Sequence, residues 1–423
     1  MARAGAGRAR RPRGAGSARC RVRAPRPAGA GAPVRGAGVT LVATEDLRRQ
    51  NVAAVLRSLR HDGPGTRTEL ARRTGLAKAT VGAIVGSLSD RGFVHEADAV
   101  PGVRGRPGRP VVLTGATVVG LGLEVNVDYV AAVAVDLGGT VRLETTVPVE
   151  GRDPYEVLVD LARTCDSELT EAGGRVVGAT VAVPGLVDRG RGVVAMAPNL
   201  RWKDRAVAGE VGALTGLAVA VENDANCAAL AEARRGATVG LGQSVYVTGT
   251  VGIGAGVITD GAIVRGTSGF AGEIGHIPLG DSEALCGCGR RGCWEASVGL
   301  RAVLTAAGVT ESGTPLESAR AVAARASEDE EVAGALARIG TVLGQGIATV
   351  ANILNPDAVV LGGYFVPLAS YLLPAATATA EGHVTSTPYA PLDLRLSALG
   401  LGAAAAGAAE EALTGVFSGA TAL

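Results

Sequence analysis

Three strand-like stretches follow one another with almost nothing between them: "VVGLGLEV", "YVAAVAVD" and "VRLETTVPV", joined by the short turns "NVD" and "LGG". All three are rich in valine and other apolar residues, and neither turn can hold a crossover helix, so the strands must pair as an antiparallel meander. Directly behind them, "PYEVLVDLARTCDSELTEAG" carries apolar residues at helical spacing and stops at a glycine pair. Strand-like and helical stretches then alternate, the pattern of an α/β domain. From about Val118 onward this excludes an all-helical or an all-β chain.

Upstream the period changes. In "RRQNVAAVLRSLRHDGPGTRTELARRTGLAKATVGAIVGSLSDRGFV", Val52, Val55, Leu56 and Leu59 sit at helical spacing. After the "DGPG" break, Thr66 and Glu69 fit a capping box, so a second short helix is expected to run to about Thr74. Gly75 suits a left-handed turn with Leu76 beneath it, and Val81, Ile84, Val85 and Leu88 give a third helix one apolar face. Ala77 falls at the N-cap of that third helix, where serine or threonine would bond the helix N–H groups. The pattern is a helix-turn-helix with its third helix offered to the major groove. A plain three-helix bundle would show the same apolar spacing.

Charge separates the two possibilities. The net charge of +1 conceals ten arginines and no acidic residue in residues 1–44, +5 in residues 45–110, and about −14 in the remainder. Arg72, Arg73, Lys78 and Arg91 surround the turn and the helix ends, where phosphates would pass, and Thr80 lies on the third helix among them. "GFVHEADAVPGVRGRPGRPVVL" then reads as strand, loop and strand, a wing whose tip carries Arg104, Arg106 and Arg109 and suits a minor groove. The predicted DNA contacts are Arg72, Arg73, Lys78, Thr80, Arg104, Arg106 and Arg109.

Residues 1–44 are almost entirely Ala, Gly, Arg and Pro without hydrophobic period, and are expected to be disordered. They lack the apolar stretch of a secretory signal. A basic DNA-contacting arm, a transit-like segment and an upstream start codon all remain open, the last being the plainest. No apolar run reaches membrane-spanning length.

Of six cysteines, Cys286, Cys288 and Cys293 cluster, and His276 precedes them by ten residues. Three thiolates and one imidazole make a complete tetrahedral set, with Gly287, Gly289 and Gly292 allowing a tight fold around it. The expected ion is a structural zinc, and the cysteine pattern suits a reducing cytoplasm rather than a disulfide framework. Asn223, Asp224, Glu273, His276 and Glu295 supply the paired donors and acceptors that pyranose hydroxyls require. Zinc could fix one ring nitrogen of His276 while the other meets the sugar. Asp224 also sits where it could cap the helix "NDANCAALAEARRG", so its presence does not establish catalysis.

The motifs "VAVPGLVD", "APNLRW", "VENDANCAALAE", "GFAGEIGHIPL", "CGCGRRGCWEA" and "ILNPDAVVLGG" stand in one order over residues 45 to the end. In them the chain resembles the ROK family (repressor, open reading frame, kinase), and within it the regulators of actinomycete type that carry a helix-turn-helix. The resemblance implies an α/β fold: an N-terminal winged helix-turn-helix over 45–115, then a two-lobed, actin-like sugar-kinase domain over 116–423. It also implies sugar contacts for the five residues just named, with Asp224 the base in any member that phosphorylates sugar.

The family's kinases carry an Asp-x-Gly-Gly-Thr phosphate loop between the first and second strands of the meander. "DLGGT" looks like that loop but lies between the second and third strands, so it reads as a hairpin turn. The loop position holds Glu124, Val125, Asn126, Val127 and Asp128, with no glycine to bring backbone N–H groups to a phosphate and with Asp128 repelling it. The second glycine-rich loop reads Gly249, Thr250, Val251, Gly252, with a valine inserted. Binding of ATP with magnesium is therefore not expected. The chain reads as a non-enzymatic, sugar-controlled regulator of carbohydrate metabolism, a repressor in the first instance. It is expected in the cytoplasm as a homodimer or homotetramer on operator DNA. The alternative is an ATP-dependent, glucokinase-like sugar kinase with a DNA-binding domain attached.

Overall fold

The computed structural model describes residues 44–98, 108–115, 117–250 and 252–421. The expected disorder of 1–44 concerns residues outside this set except Thr44, with which the first helix opens. Arg104 and Arg106 of the expected wing tip also lie outside it.

Helices α1 (Thr44–His61), α2 (Arg67–Thr74) and α3 (Lys78–Asp90) form the helix-turn-helix. Thr66 and Glu69 close the capping box as expected, Gly75 is left-handed at φ 72°, and Ala77 caps α3 without a side-chain bond. Strands β1 (Val94–Glu96) and β2 (Val111–Leu113) pair antiparallel, Val94 opposite Leu113. Val111 also bridges to Gly65, which ties the wing to the α1–α2 turn.

The first lobe is a sheet in the order β10-β6-β3-β4-β5. Its meander is β3 (Val118–Val125), β4 (Tyr129–Asp136) and β5 (Val141–Pro148), followed by α4 (Pro154–Glu171) and β6 (Arg175–Val183). Every residue of β3 and β4 is buried, whereas β5 has no buried residue and forms the edge. The "LGG" stretch is indeed the turn from β4 to β5: Gly139 donates to the Asp136 carbonyl and Thr140 N–H to the Asp136 carboxylate. A small sheet of β7 (Leu186–Asp188), β8 (Val193–Ala197) and β9 (Trp202–Arg205) precedes α5 (Val207–Thr215), β10 (Val219–Asn223) and α6 (Asp224–Arg235).

The second lobe is a sheet of order β13-β12-β11-β14-β15: β11 (Gln243–Gly249), β12 (Ile253–Thr259), β13 (Ala262–Ile263), β14 (Ala358–Gly363) and β15 (Leu394–Leu396). Helices α7 (Trp294–Val298), α8 (Leu300–Ala307), α9 (Pro315–Glu328), α10 (Glu330–Leu354) and α11 (Ala369–His383) cover one face, around buried Trp294, Leu336, Phe365 and Leu372. No described helix is long and apolar enough to cross a membrane.

Helix α12 (Ala403–Ala412) lies against β3, β4, β6 and α6, and α13 (Thr414–Ser418) returns to α1. Its sequence "AAAAGAAEEA" allows this depth, since alanine and glycine let backbones approach closely. Gly122 on β3 is part of the fit: a Cβ there would collide with the Ala405 carbonyl. The winged helix has no core separate from the rest. Val55, Leu56, Leu70, Val81 and Leu88 share one cluster with Val118, Leu137, Leu413 and Val416.

Candidate functional site

The turn from β3 to β4 forms the head of a cleft. Asn126 N–H donates to the Tyr129 carbonyl and Val127 N–H to the Asn126 side chain, so two of its backbone donors are used within the turn. Glu124 is buried, and its Oε1 accepts from the Tyr129 hydroxyl at 2.6 Å. Burial pushes its carboxyl up to about 8, against the opposing effect of the Tyr129 bond. With two of its N–H groups engaged, the turn has fewer donors left for a phosphate.

Strand β10 hands over to α6 at Asn223, and the residues at the junction are already engaged. Asn223 Oδ1 accepts from Asn226 N–H at 3.1 Å and its Nδ2 donates to the Gly185 carbonyl at 3.0 Å, so Asn223, not Asp224, is the cap. Asp224 is the first helical residue, with Oδ1 on Ala225 N–H at 2.9 Å. Burial pushes its carboxyl up to about 6, and the nearby Glu273 charge adds to the effect.

Glu273 precedes the short helical turn Ile274–His276, its side chain 41% exposed. Glu295 of α7 takes the Ile253 N–H at 2.8 Å with one oxygen, and its other oxygen lies 3.3 Å from Cys286 Sγ. Glu295 therefore joins β12 to the cysteine loop, a structural duty that spacing alone does not reveal.

His276, Cys286, Cys288 and Cys293 come together with all four ligand atoms within 4.8 Å of one another. The Cys288 and Cys293 sulfurs stand 3.7 Å apart, and Cys286 Sγ stands 3.7 Å from His276 Nδ1. Two thiolates about 2.3 Å from a tetrahedral ion would be separated by close to this spacing, so the donor set fits a metal. The loop closes because Gly289 and Gly292 adopt φ 84° and 75°, where a side chain would be strained. His276 Nε2 faces Glu273 at 3.8 Å, leaving Nδ1 toward the sulfurs.

A run of ion pairs links this region to the DNA-binding module, and sequence reading did not find it. Arg60 of α1 meets Glu410 of α12 at 2.5 Å, and Glu410 also holds Arg235 of α6 at 2.6 Å. The adjacent Glu411 holds Arg189 at 2.6 Å and Arg265 at 2.9 Å. Both arginines reach Glu222, at 3.3 and 2.6 Å, and Glu222 in turn accepts from Asn223 N–H and Asn226 Nδ2, each at 3.0 Å. Its one sequence signal is a pair of glutamates ending an alanine helix that is otherwise apolar.

In the helix-turn-helix, Arg72 and Lys78 are exposed and Thr80 is half-buried on α3. Arg73 differs from expectation: its guanidinium donates to the Gly63 carbonyl at 3.0 Å and reaches that of Pro64 at 3.5 Å, which fastens the α1–α2 turn. Arg109 pairs loosely with Asp98 at 3.5 Å and keeps 60% of its side chain exposed.

Comparison with known proteins matches two parts of the chain. Residues 120–414 match the ROK family and residues 50–98 match the IclR helix-turn-helix domain. The chain is 30% identical over 366 residues to the xylose repressor of Bacillus subtilis, covering 85% of this chain and 94% of that one. A solved ROK family transcriptional regulator, homologous to the Escherichia coli MLC protein, superposes with TM-score 0.75 at 26% identity, over 88% of this chain and 98% of that one. A ROK family glucokinase from Streptomyces griseus, solved with glucose and AMPPNP, superposes with TM-score 0.60 at 27% identity, over 70% of this chain and 100% of that one.

Proposed function

The chain belongs to the ROK family, and on that premise we propose that it represses carbohydrate-utilisation genes, holding operator DNA with its winged helix and releasing it when a sugar binds the effector domain. Its relatives of matching length, the xylose repressors among them, are regulators rather than enzymes, and D-xylose is the first sugar to test. The observation that carries the reading is the shared cluster of Val55, Leu56 and Leu88 with Val118, Leu137 and Leu413. A rearrangement of the first lobe or of α12 can be passed to the recognition helix through this continuous packing.

Sugar hydroxyls are assigned to Asp224, Glu273 and the Nε2 side of His276. Asn223 and Glu295 are assigned with them, through the donor and acceptor positions left beyond their bonds to Gly185, Asn226 and Ile253. Only a ligand that binds the two states with different affinity can shift them. Zinc is the ion assigned to His276, Cys286, Cys288 and Cys293: thiolate-rich sets favour it, and four protein ligands leave no open position for chemistry. When bound it would hold the "CGCGRRGC" loop closed and fix the His276 ring. DNA is assigned to Arg72, Lys78, Thr80 and Arg109, and to Arg104 and Arg106, which lie outside the described residues. Such a regulator works beside the chromosome in the cytoplasm, as a homodimer or homotetramer matching a symmetric operator.

The test is calorimetric titration with D-xylose and a panel of hexoses, with and without magnesium-ATP, followed by a phosphorylation assay on any sugar that binds. Binding without turnover is the expected result. Turnover would establish a kinase and overturn the assignment of the β3–β4 turn.

A further inference from the structure

The three sulfurs of the cysteine loop are not equivalent. Cys286 and Cys293 are buried, whereas Cys288 is exposed. Gly287 and Gly289 on either side of it border open space, since a Cβ at either position would meet no atom within 4 Å. The chain beside the Cys288 sulfur therefore leaves room for a small solute to approach.

The sulfurs are also paired. Cys288 Sγ stands 3.7 Å from Cys293 Sγ, while Cys286 Sγ is engaged by His276 Nδ1 at 3.7 Å and by Glu295 at 3.3 Å. Arg290 and Arg291 follow on the same loop, both exposed, and among the described residues neither pairs with a carboxylate; Arg291 donates to the Glu283 carbonyl instead. Two guanidinium groups left without a counter-charge favour thiolates beside them. Cys165 and Cys227 are built differently: both are buried in apolar clusters, and burial pushes Cys165 up to about 11 and Cys227 well above its ordinary value. They remain protonated and inert at neutral pH.

Resting on the zinc reading above, we propose that Cys288 and Cys293 are a peroxide-sensitive dithiol, whose oxidation to a disulfide removes two of the ion's four ligands and releases it. An exposed thiolate next to a second one that can resolve it is the arrangement through which thiol sensors act, and a thiolate held by a metal stays ionised. The Cys288 thiolate attacks one oxygen of hydrogen peroxide: the S–O bond forms, the O–O bond breaks, and hydroxide leaves and takes up a proton. The Cys293 thiolate then attacks the Cys288 sulfur: the S–S bond forms, the S–O bond breaks, and a second hydroxide leaves and takes up a proton. Two thiolates, one peroxide and two protons become one disulfide and two waters, a two-electron oxidation in which zinc keeps its valence. His276 is then left without the ion that fixes its ring, among the proposed sugar contacts.

The experiment uses the full chain carrying Cys20→Ser, because Cys20 lies outside the described residues. Zinc is first measured in the reduced protein by elemental analysis. Hydrogen peroxide is then added in several-fold excess, released metal is followed with a chromogenic chelator, and unreduced peptides are mapped by mass spectrometry. The expected result is loss of one zinc per chain in step with a Cys288 to Cys293 disulfide, with Cys165 and Cys227 still thiols, and recovery of both zinc and thiols on adding dithiothreitol and zinc. Zinc held throughout the treatment would leave the metal assignment intact and overturn the switch. A disulfide between another pair, oxidation of Cys165 or Cys227 ahead of Cys288, or release that dithiothreitol does not reverse would overturn it too. A reduced chain that holds no zinc would refute the metal assignment and the release together.

Discussion

Glu124 departs furthest from ordinary behaviour for a residue whose position was predictable. Counting strands and turns against the family's sugar-kinase architecture places it beside the phosphate-loop position, between the first and second strands of the meander. Its partner was not legible: Tyr129 reaches it only through the cross-strand register of β3 and β4, which pairs Val125 with Val130. Its folded value of about 8 lies above the ordinary 4.5, so the folded state holds the proton more tightly. The stability this contributes is complete below pH 4.5 and is lost as pH rises through 8, and Asp224, raised from 3.8 to about 6, acts in the same sense. Glu124→Gln should therefore melt at nearly the same temperature as the parent at pH 5 and above it at pH 8, the gap growing by at most about 1.4 kcal/mol per pH unit. A constant gap across that range would contradict the burial of its charge. The meeting of His276, Cys286, Cys288 and Cys293 was legible, since donor residues within so short a span leave few other arrangements. Cys288→Ser should lower bound zinc by elemental analysis from one per chain toward none and loosen the loop around Gly289 and Gly292; unchanged zinc would dismiss the ligand set.

Elements with strong local signals were readable. The capping box at Thr66, the glycine stop of α2 and the apolar face of α3 all fall where spacing put them. Ala77→Ser adds the side-chain bond that the α3 N-cap lacks, and should stabilise the winged helix by about 1 kcal/mol in a thermal melt. What spacing could not reveal was the use of α12, whose Glu410 and Glu411 collect arginines from α1, from α6 and from loops distant in sequence. Such pairs add little stability once desolvation is counted. Arg60→Met should leave Glu410 paired with Arg235, so that the fold and operator affinity without sugar change by less than about threefold, while the sugar-induced change in operator affinity shrinks about fivefold or more. Fluorescence anisotropy on labelled operator with and without sugar measures both; a full sugar response would exclude this route.

The whole molecule couples two modules through a common core. Charge bookkeeping separated a basic front from an acidic body, but the joining of α1, α13 and the start of β3 in one cluster depends on the return of the chain's last helices, which no local pattern announces. The basic front has its own test: replacing Arg106 and Arg109 by alanine should lower the slope of log affinity against log salt by about 2, and an unchanged slope would remove the wing from the interface. The central claim, that one sugar site and one DNA site are linked through this body, is tested most directly by measuring the affinity of the inducing sugar for the protein alone and for the protein saturated with operator. Linkage requires the operator to weaken sugar binding by the same factor by which the sugar weakens operator binding. Equal factors above about fivefold are the predicted result; a sugar affinity that is the same with and without operator would contradict the account.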